Sequence, residues 1–203
     1  AASDVYKRQI LLVPHANREQ NLQATSRAAE LLQDAGITVR VCADEKVLPG
    51  LKHVPHTEDA ASGCELVLVL GGDGTFLRAA DMARSVDIPV LGINLGHVGF
   101  LAEWEVESLD QALVRVIDKR YRIEDRLTID VTIFDEEGTL LNRSWALNEA
   151  SVENQNRSGV LDAILEIDRR PVSSFGCDGV LISTPTGSTA YACLLYTSPS
   201  PRD

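Results

Sequence analysis

The sequence contains no apolar run approaching the roughly 18 residues that a membrane-spanning helix needs, so no membrane partner is expected. Its first residues lack the basic, apolar, small-residue order of a secretory signal, which makes the cytoplasm the expected location. Basic residues are scarce: 19 Lys and Arg face 30 Asp and Glu, for a net charge of −11. That balance argues against duplex nucleic acid as a partner, because phosphate backbones are bound by broad basic faces. The four cysteines, at 42, 64, 177 and 193, form no C-x-x-C pair and read as reduced packing thiols. His53 and His56 have i,i+3 spacing, but they flank prolines in a polar stretch and read as a solvated loop. No metal ligand is assigned. The phosphate-loop pattern G-x-x-x-x-G-K-[ST] and the dinucleotide pattern G-x-G-x-x-G are both missing.

What is present is an ordinary globular composition, with 44% hydrophobic and 24% charged residues over 203 positions. That length suits one large domain or two small ones. Ile10 to Val13 predicts a short strand. Asn17 is placed to cap a helix running to about Ala35, with Leu22, Ala29, Leu32 and Ala35 on one face and Gly36 as its stop. Ile37 to Val41 predicts a second strand, and residues 43–64 a polar loop with at most a short helix. Glu65 to Leu70 is nearly continuously apolar, the pattern of a parallel strand covered on both faces. A helix from about Thr75 to Ser85 and a strand from Ile88 to Ile93 follow. Strand and helix alternate, so this half is an α/β domain with a mainly parallel sheet.

Ser108 starts another helix, with Gln111 completing a capping-box pattern. The period then changes. Leu127, Ile129, Val131 and Ile133 alternate with polar residues, Asp135 to Gly138 predicts a hairpin turn, and Leu161–Ile167 with Val172–Phe175 repeat the pattern across Asp168–Pro171. The expected organisation is an α/β nucleotide-binding domain over 10–124 and a β-rich domain over 125–192, an incomplete β-sandwich. Residues 1–9 and 193–203 read as tails foreign to the fold, so the chain is expected to be a fragment truncated after Ala192.

Chemistry gathers in three loops. Gly71-Gly72-Asp73-Gly74-Thr75 follows a strand and opens a helix. Open α/β sheets bind ligands at this position, and the helix N-terminus offers N–H donors to an anion. Glycines there can adopt positive φ and let a phosphate approach the backbone. The second loop, Leu91 to Leu101, carries glycines at 92, 96 and 99 and suggests the other wall of one cleft. The third comes in two pieces: Asn148-Glu149, and the segment from Asp178 to Tyr191, a strand followed by a hydroxyl-rich Gly/Pro turn. Its short donors and acceptors suit ribose hydroxyls and phosphate oxygens.

Taken together, "GGDGTFLRAA", "LGINLGHVGFLAE", "ALNEAS" and "GCDGVLISTPTGSTAYA" resemble the NAD kinases of bacteria, in that family's order and over roughly residues 10–192. The resemblance implies transfer of the γ-phosphoryl of ATP, or of polyphosphate, to the 2′-hydroxyl of the adenosine ribose of NAD, giving NADP. A divalent metal, Mg²⁺ in most members, is implied, as are a C-terminal β-sandwich and a homodimer or homotetramer. Carried over by motif, Asp73 is the general base and lies beside NAD with Gly74, and Gly71, Gly72, Gly74 and Thr75 form the phosphate loop. Asn148, Glu149, Asp178, Thr189, Ala190, Tyr191 and Ala192 line the NAD pocket, with Arg78 and Arg157 as phosphate contacts. Two alternatives stand beside this reading: an inactive nucleotide-binding fragment of such a kinase, and a lipid kinase with a related GGDGT loop.

Overall fold

The structure, a computed structural model, describes residues 8–15, 19–42, 48, 50–95, 99, 101–102, 104–105, 108–154 and 159–197. The chain divides into two compact units, Ala1–Ile123 and Glu124–Asp203.

The first unit is built on a parallel six-stranded sheet. Its strands are β1 (Gln9–Pro14), β2 (Thr38–Val41), β3 (Lys52–His53), β4 (Leu66–Leu70), β5 (Val90–Asn94) and β6 (Trp104–Glu105). Its helices are α1 (Glu19–Asp34), α2 (Asp73–Arg84) and α3 (Leu109–Ile117), with a 3₁₀ turn at Glu58–Ala61. The two central strands explain why the sequence shows unbroken apolar runs. In β1, Ile10 and Leu12 pack into one buried cluster and Leu11 and Val13 into the other. In β4, Leu66, Leu68 and Leu70 join the first cluster and Val67 and Val69 the second. Side chains alternate across the pleat as in any strand, but both faces are dry, so no polar residue marks the period. α1 and α3 supply Ala28, Leu32 and Leu113 to the first cluster, and α2 supplies Ala79, Met82 and Ala83 to the second.

Strand order across the sheet is β3-β2-β1-β4-β5-β6. The chain therefore winds outward from β1 in one direction and from β4 in the other. The loops leaving these adjacent strands diverge and open a crevice at their carboxyl ends, the point where open α/β sheets bind ligands. The register puts Pro14 beside Leu70, and His15 N–H donates to the Leu70 carbonyl at 2.9 Å. His15 and Gly71 thus leave the sheet side by side.

Several expectations shift. β1 starts at Gln9, and Arg8 is part of the fold: it donates to Glu65 and to the carbonyls of Val116 and Ile117 at the end of α3. A guanidinium at a helix C-terminus satisfies carbonyls that have no partner within the helix. The polar stretch after β2 contributes strand β3 as well as the 3₁₀ turn. Ala35 lies exposed in the turn after α1, past the last inward-facing position. Asn17, expected as the cap of α1, lies outside the described residues. Ser108 precedes α3 but makes no side-chain capping bond: its φ of −103° and ψ of 9° are not the extended geometry that aims a hydroxyl at the first-turn amides.

The second unit is β-rich. Its described residues form three antiparallel two-stranded ladders. β7 (Ile129–Phe134) pairs with β8 (Leu140–Ala146), β9 (Glu149–Glu153) with β12 (Gly179–Ser183), and β10 (Leu161–Ile167) with β11 (Arg170–Cys177). The β10–β11 turn is shorter than expected. Asp168 and Arg169 make it alone at φ of 50° and 63°, the left-handed pair that a tight hairpin requires. A short helix, α4 (Tyr191–Thr197), crosses the point where the tail was expected to begin. Of the described residues here, Leu147, Thr184 and Gly187 are the buried ones, and together they hold Asn148.

Candidate functional site

In the first unit the site grows from the end of β4. Helix α2 begins at Asp73, two residues earlier than its apolar period implies, because Gly72 is extended (φ −91°, ψ −173°) and acts as the N-cap. Its carbonyl accepts the amides of Thr75 at 3.0 Å and Phe76 at 3.1 Å. Asp73 therefore stands in the first helical turn, where the helix dipole favours a negative charge. The glycines do not use the left-handed freedom expected of them, since Gly71, Gly72 and Gly74 all avoid positive φ. Their roles differ. A Cβ on Gly71 would stand 2.9 Å from Thr75 Oγ1 and 3.0 Å from His15 Cβ, so Gly71 is small because the two ends of the crevice close on it. Among the described residues nothing comes within 4 Å of a Cβ placed on Gly72 or Gly74, so these side-chain-free positions add no bulk at the helix start.

The second glycine loop meets the first at Asp73. Leu101 N–H donates to Asp73 Oδ1 at 3.2 Å, and a Cβ on Gly99 would stand 2.7 Å from the same oxygen. Gly92, on β5, lies under the Phe76 ring, with a Cβ position 2.9 Å from its edge. The two loops are thus walls around one carboxylate. Gly96 and His97 lie outside the described residues. Substituting Gly99 gives a clean expectation. Because the atom in the way is the tip of a side chain, Gly99→Ala should leave the fold intact and push the carboxylate off the Leu101 amide. We expect an unchanged thermal midpoint and a turnover lowered about tenfold or more, given that small misplacements of reacting groups are costly. Wild-type turnover in that variant would show that the Asp73 contact is incidental.

Arg78 is exposed on α2. It lies close enough to Cys42, at the end of β2, to oppose the burial that pushes that thiol up to about 11. His53, in β3, contacts the Leu48 carbonyl at 2.7 Å through Nε2.

In the second unit the site grows around Asn148. Thr184 is buried: its hydroxyl donates to the Leu147 carbonyl at 2.5 Å and its amide to the Asn148 carbonyl at 2.8 Å. Gly187 N–H donates to Thr184 Oγ1 at 3.0 Å, and a Cβ on Gly187 would overlap the Asn148 carbonyl and stand 2.6 Å from its Cα. This packing fixes Asn148-Glu149 at the head of β9, opposite Ser183 of β12. Asn148 Oδ1 and Glu149 Oε2 are buried without hydrogen-bond partners, an arrangement that costs stability unless something else satisfies them. Thr189 ends the 3₁₀ turn Thr186–Thr189, which contains Gly187, and Ala190 links it to α4, where Tyr191 and Ala192 lie. Thr189 and Tyr191 are exposed, Ala190 and Ala192 half-buried. Asp178 is exposed between β11 and β12, and its carbonyl accepts the Asn154 amide at 3.1 Å. Arg157 lies outside the described residues.

The sequence reading gave no individual role to the residues that hold these groups: Leu101 closes the second glycine loop and Thr184 and Gly187 lie in the third, while His15 was in none of them. His15 becomes visible once β1 and β4 are known to be neighbours.

Comparison with known proteins agrees with this layout. Residues 10–121 match the family model described as ATP-NAD kinase N-terminal domain, and residues 147–193 match ATP-NAD kinase C-terminal domain. An NAD kinase of Corynebacterium efficiens is 62% identical over 198 residues, which cover 94% of this chain and 62% of that protein. One from Corynebacterium glutamicum is 68% identical over 173 residues, covering 81% and 60%. The chain thus spans about three fifths of the length of the curated relatives it matches. Two solved structures share the fold. Yeast NADH kinase complexed with NADH has a TM-score of 0.82 at 23% identity, over 93% of this chain and 60% of that one. An Archaeoglobus fulgidus NAD kinase in complex with ATP has a TM-score of 0.61 at 22% identity, over 95% and 66%. With the N-terminal model alone spanning more than half of its residues, the chain belongs to the ATP-NAD kinase family.

Proposed function

We propose that the protein carrying this chain transfers the γ-phosphoryl group of ATP, or a phosphoryl group of polyphosphate, to the 2′-hydroxyl of the adenosine ribose of NAD. The observation that carries the reading is Asp73: a carboxylate in the first turn of α2, at the sheet's switch point, held by the Leu101 amide. Phosphoryl transfer asks a protein mainly for positioning and charge stabilisation. The start of α2 supplies amide donors for phosphate oxygens. Asp73 accepts the ribose proton late, as the bond to phosphorus forms, because a carboxylate is too weak a base to ionise a free hydroxyl beforehand. Asn148 and Glu149 present buried oxygens without partners, which suits the hydroxyl and amino donors of a nucleotide. Asp178 and Thr189 to Ala192 complete the NAD contacts, with Arg157 as a further phosphate contact.

A divalent ion accompanies the nucleotide in this reading. Among the described residues no three His, Cys, Asp or Glu side chains gather as a cage. Mg²⁺ is the ion proposed, one that binds through substrate phosphates and retained water more than through dedicated protein ligands. No described helix is long and apolar enough to cross a membrane. We place the protein in the cytoplasm as a homodimer or homotetramer.

The test is NADP formation from NAD with ATP and, separately, with polyphosphate. Phosphorylation of a lipid without any NADP would overturn the reading, and nucleotide binding without turnover would reduce the chain to a binding fragment. Arg78→Ala adds a check on charge. Nucleotide affinity should fall, and fall further at low salt, where the screening length grows. An unchanged dissociation constant at both ionic strengths removes Arg78 from the phosphate contacts.

A further inference from the structure

Three buried polar atoms at the crevice between β1 and β4 have no hydrogen-bond partner: His15 Nδ1, Asn21 Oδ1 and Thr75 Oγ1. Native proteins leave few such groups, and each one calls for an explanation. These three are neighbours in the fold. Asn21 donates from Nδ2 to the His15 carbonyl at 3.1 Å. His15 and Thr75 both close on Gly71: Thr75 Oγ1 lies 2.9 Å and His15 Cβ 3.0 Å from the position its Cβ would take. Thr75 is 2% exposed and Asn21 4%, so neither is a surface group that water routinely satisfies. Thr75 stands in the first turn of the twelve-residue helix α2. Its unpartnered hydroxyl therefore sits where the helix already offers amide donors.

We propose that His15 is a phosphate-binding residue, donating from its ring to a phosphoryl oxygen of the donor, with the Thr75 hydroxyl beside Gly71 as its partner. The inference rests on the kinase reading and adds a subsite to it. The chemistry fits. An imidazole N–H and a hydroxyl are both donors, phosphoryl oxygens only accept, and hydrogen bonds to charged acceptors are the strong ones. The Asn21 bond to the His15 carbonyl fixes the backbone from which the ring projects. The geometry of the sheet explains why a residue 58 positions before Asp73 belongs to the same site: β1 and β4 are paired, and the residue after each strand faces the same crevice.

The ligand class is a terminal phosphoryl group on a polyanionic chain, whether nucleoside triphosphate or inorganic polyphosphate. The experiment measures binding of inorganic tripolyphosphate and of ATP by calorimetry, without NAD, to the wild type, His15→Ala and His15→Gln. Thermal midpoints are recorded for each variant. Loss of one hydrogen bond to a charged group should weaken binding by about tenfold or more in His15→Ala. His15→Gln, which keeps an N–H donor, should recover most of it. Equal losses for both probes place the contact on the phosphates, whereas a loss for ATP alone would move it to the nucleoside and overturn the assignment. Wild-type affinity in His15→Ala at an unchanged midpoint would also overturn it. The readout does not depend on turnover. Histidine-dependent tripolyphosphate binding in a protein that makes no NADP would keep the subsite and discard the kinase reading.

Discussion

Replacing Asp73 by Asn should abolish most turnover while leaving NAD binding close to wild type. Asparagine has nearly the same shape, and its Oδ1 can still accept the Leu101 amide that Asp73 accepts at 3.2 Å. What disappears is a group able to take the ribose proton. General-base catalysis typically contributes about 10²–10⁴-fold, and the loss should fall in kcat with little change in KM for NAD. That split marks an interaction made in the transition state and not in the ground state. Combining the substitution with Gly99→Ala sharpens the test. If Gly99 acts only by leaving room for the carboxylate, the second substitution should cost little once the carboxylate is gone. Residues that act as one unit are non-additive, whereas independent sites add. Near-normal kcat in Asp73→Asn would remove the base and leave the loop a binding element.

The α/β half was legible because its signals are local. Continuous apolar runs at β1 and β4, and the glycine cluster ending β4, fix strand, turn and helix without knowledge of the rest of the chain. The start of α2 was misplaced because glycine and aspartate have poor helix propensity, yet both occupy the first turn here. The Ser108 cap failed for the converse reason: a favourable local pattern was present, but the backbone entering α3 did not adopt the geometry to use it. β3 is two residues long and exists only through pairing with β2, so no sequence period could announce it.

The site was legible in its motif residues and invisible in their supports. Asp73 and Asn148-Glu149 stand out as polar residues in unexpected company. His15 does not, since a histidine after a strand followed by a polar helix reads as a loop residue. Only the pairing of β1 with β4 places it beside Gly71. Thr184 is similar. In a run of hydroxyl residues nothing distinguishes the one whose side chain is buried and bonded to Leu147 from its exposed neighbours. Long-range contacts decide these roles, and a single sequence does not display them.

The second large effect is expected at Gly187. Its Cα hydrogen faces the backbone of Asn148, and a Cβ there would overlap the carbonyl that accepts the Thr184 amide. Unlike Gly99, where a side-chain tip can swing away, Gly187 has main chain in front of it. Gly187→Ala must therefore displace the 3₁₀ turn Thr186–Thr189 or the Asn148-Glu149 corner. Overpacking of this kind costs about 1–3 kcal/mol, and more where backbone has to move. For a small domain each kcal/mol lowers the midpoint by roughly 4–8 °C. The chain holds two tryptophans, Trp104 in β6 of the first unit and Trp145 in β8 of the second, so each unit carries its own fluorescent reporter. In a Trp104→Phe background, Gly187→Ala should lower the midpoint reported by Trp145. With Trp145→Phe instead, the Trp104 signal should hardly move. NAD affinity should fall with the displaced Asn148-Glu149 corner, while tripolyphosphate binding at the start of α2 persists. A Gly187→Ala protein with wild-type NAD affinity and an unshifted Trp145 transition would mean that the close approach of Gly187 to Asn148 does not hold the nucleotide corner in place.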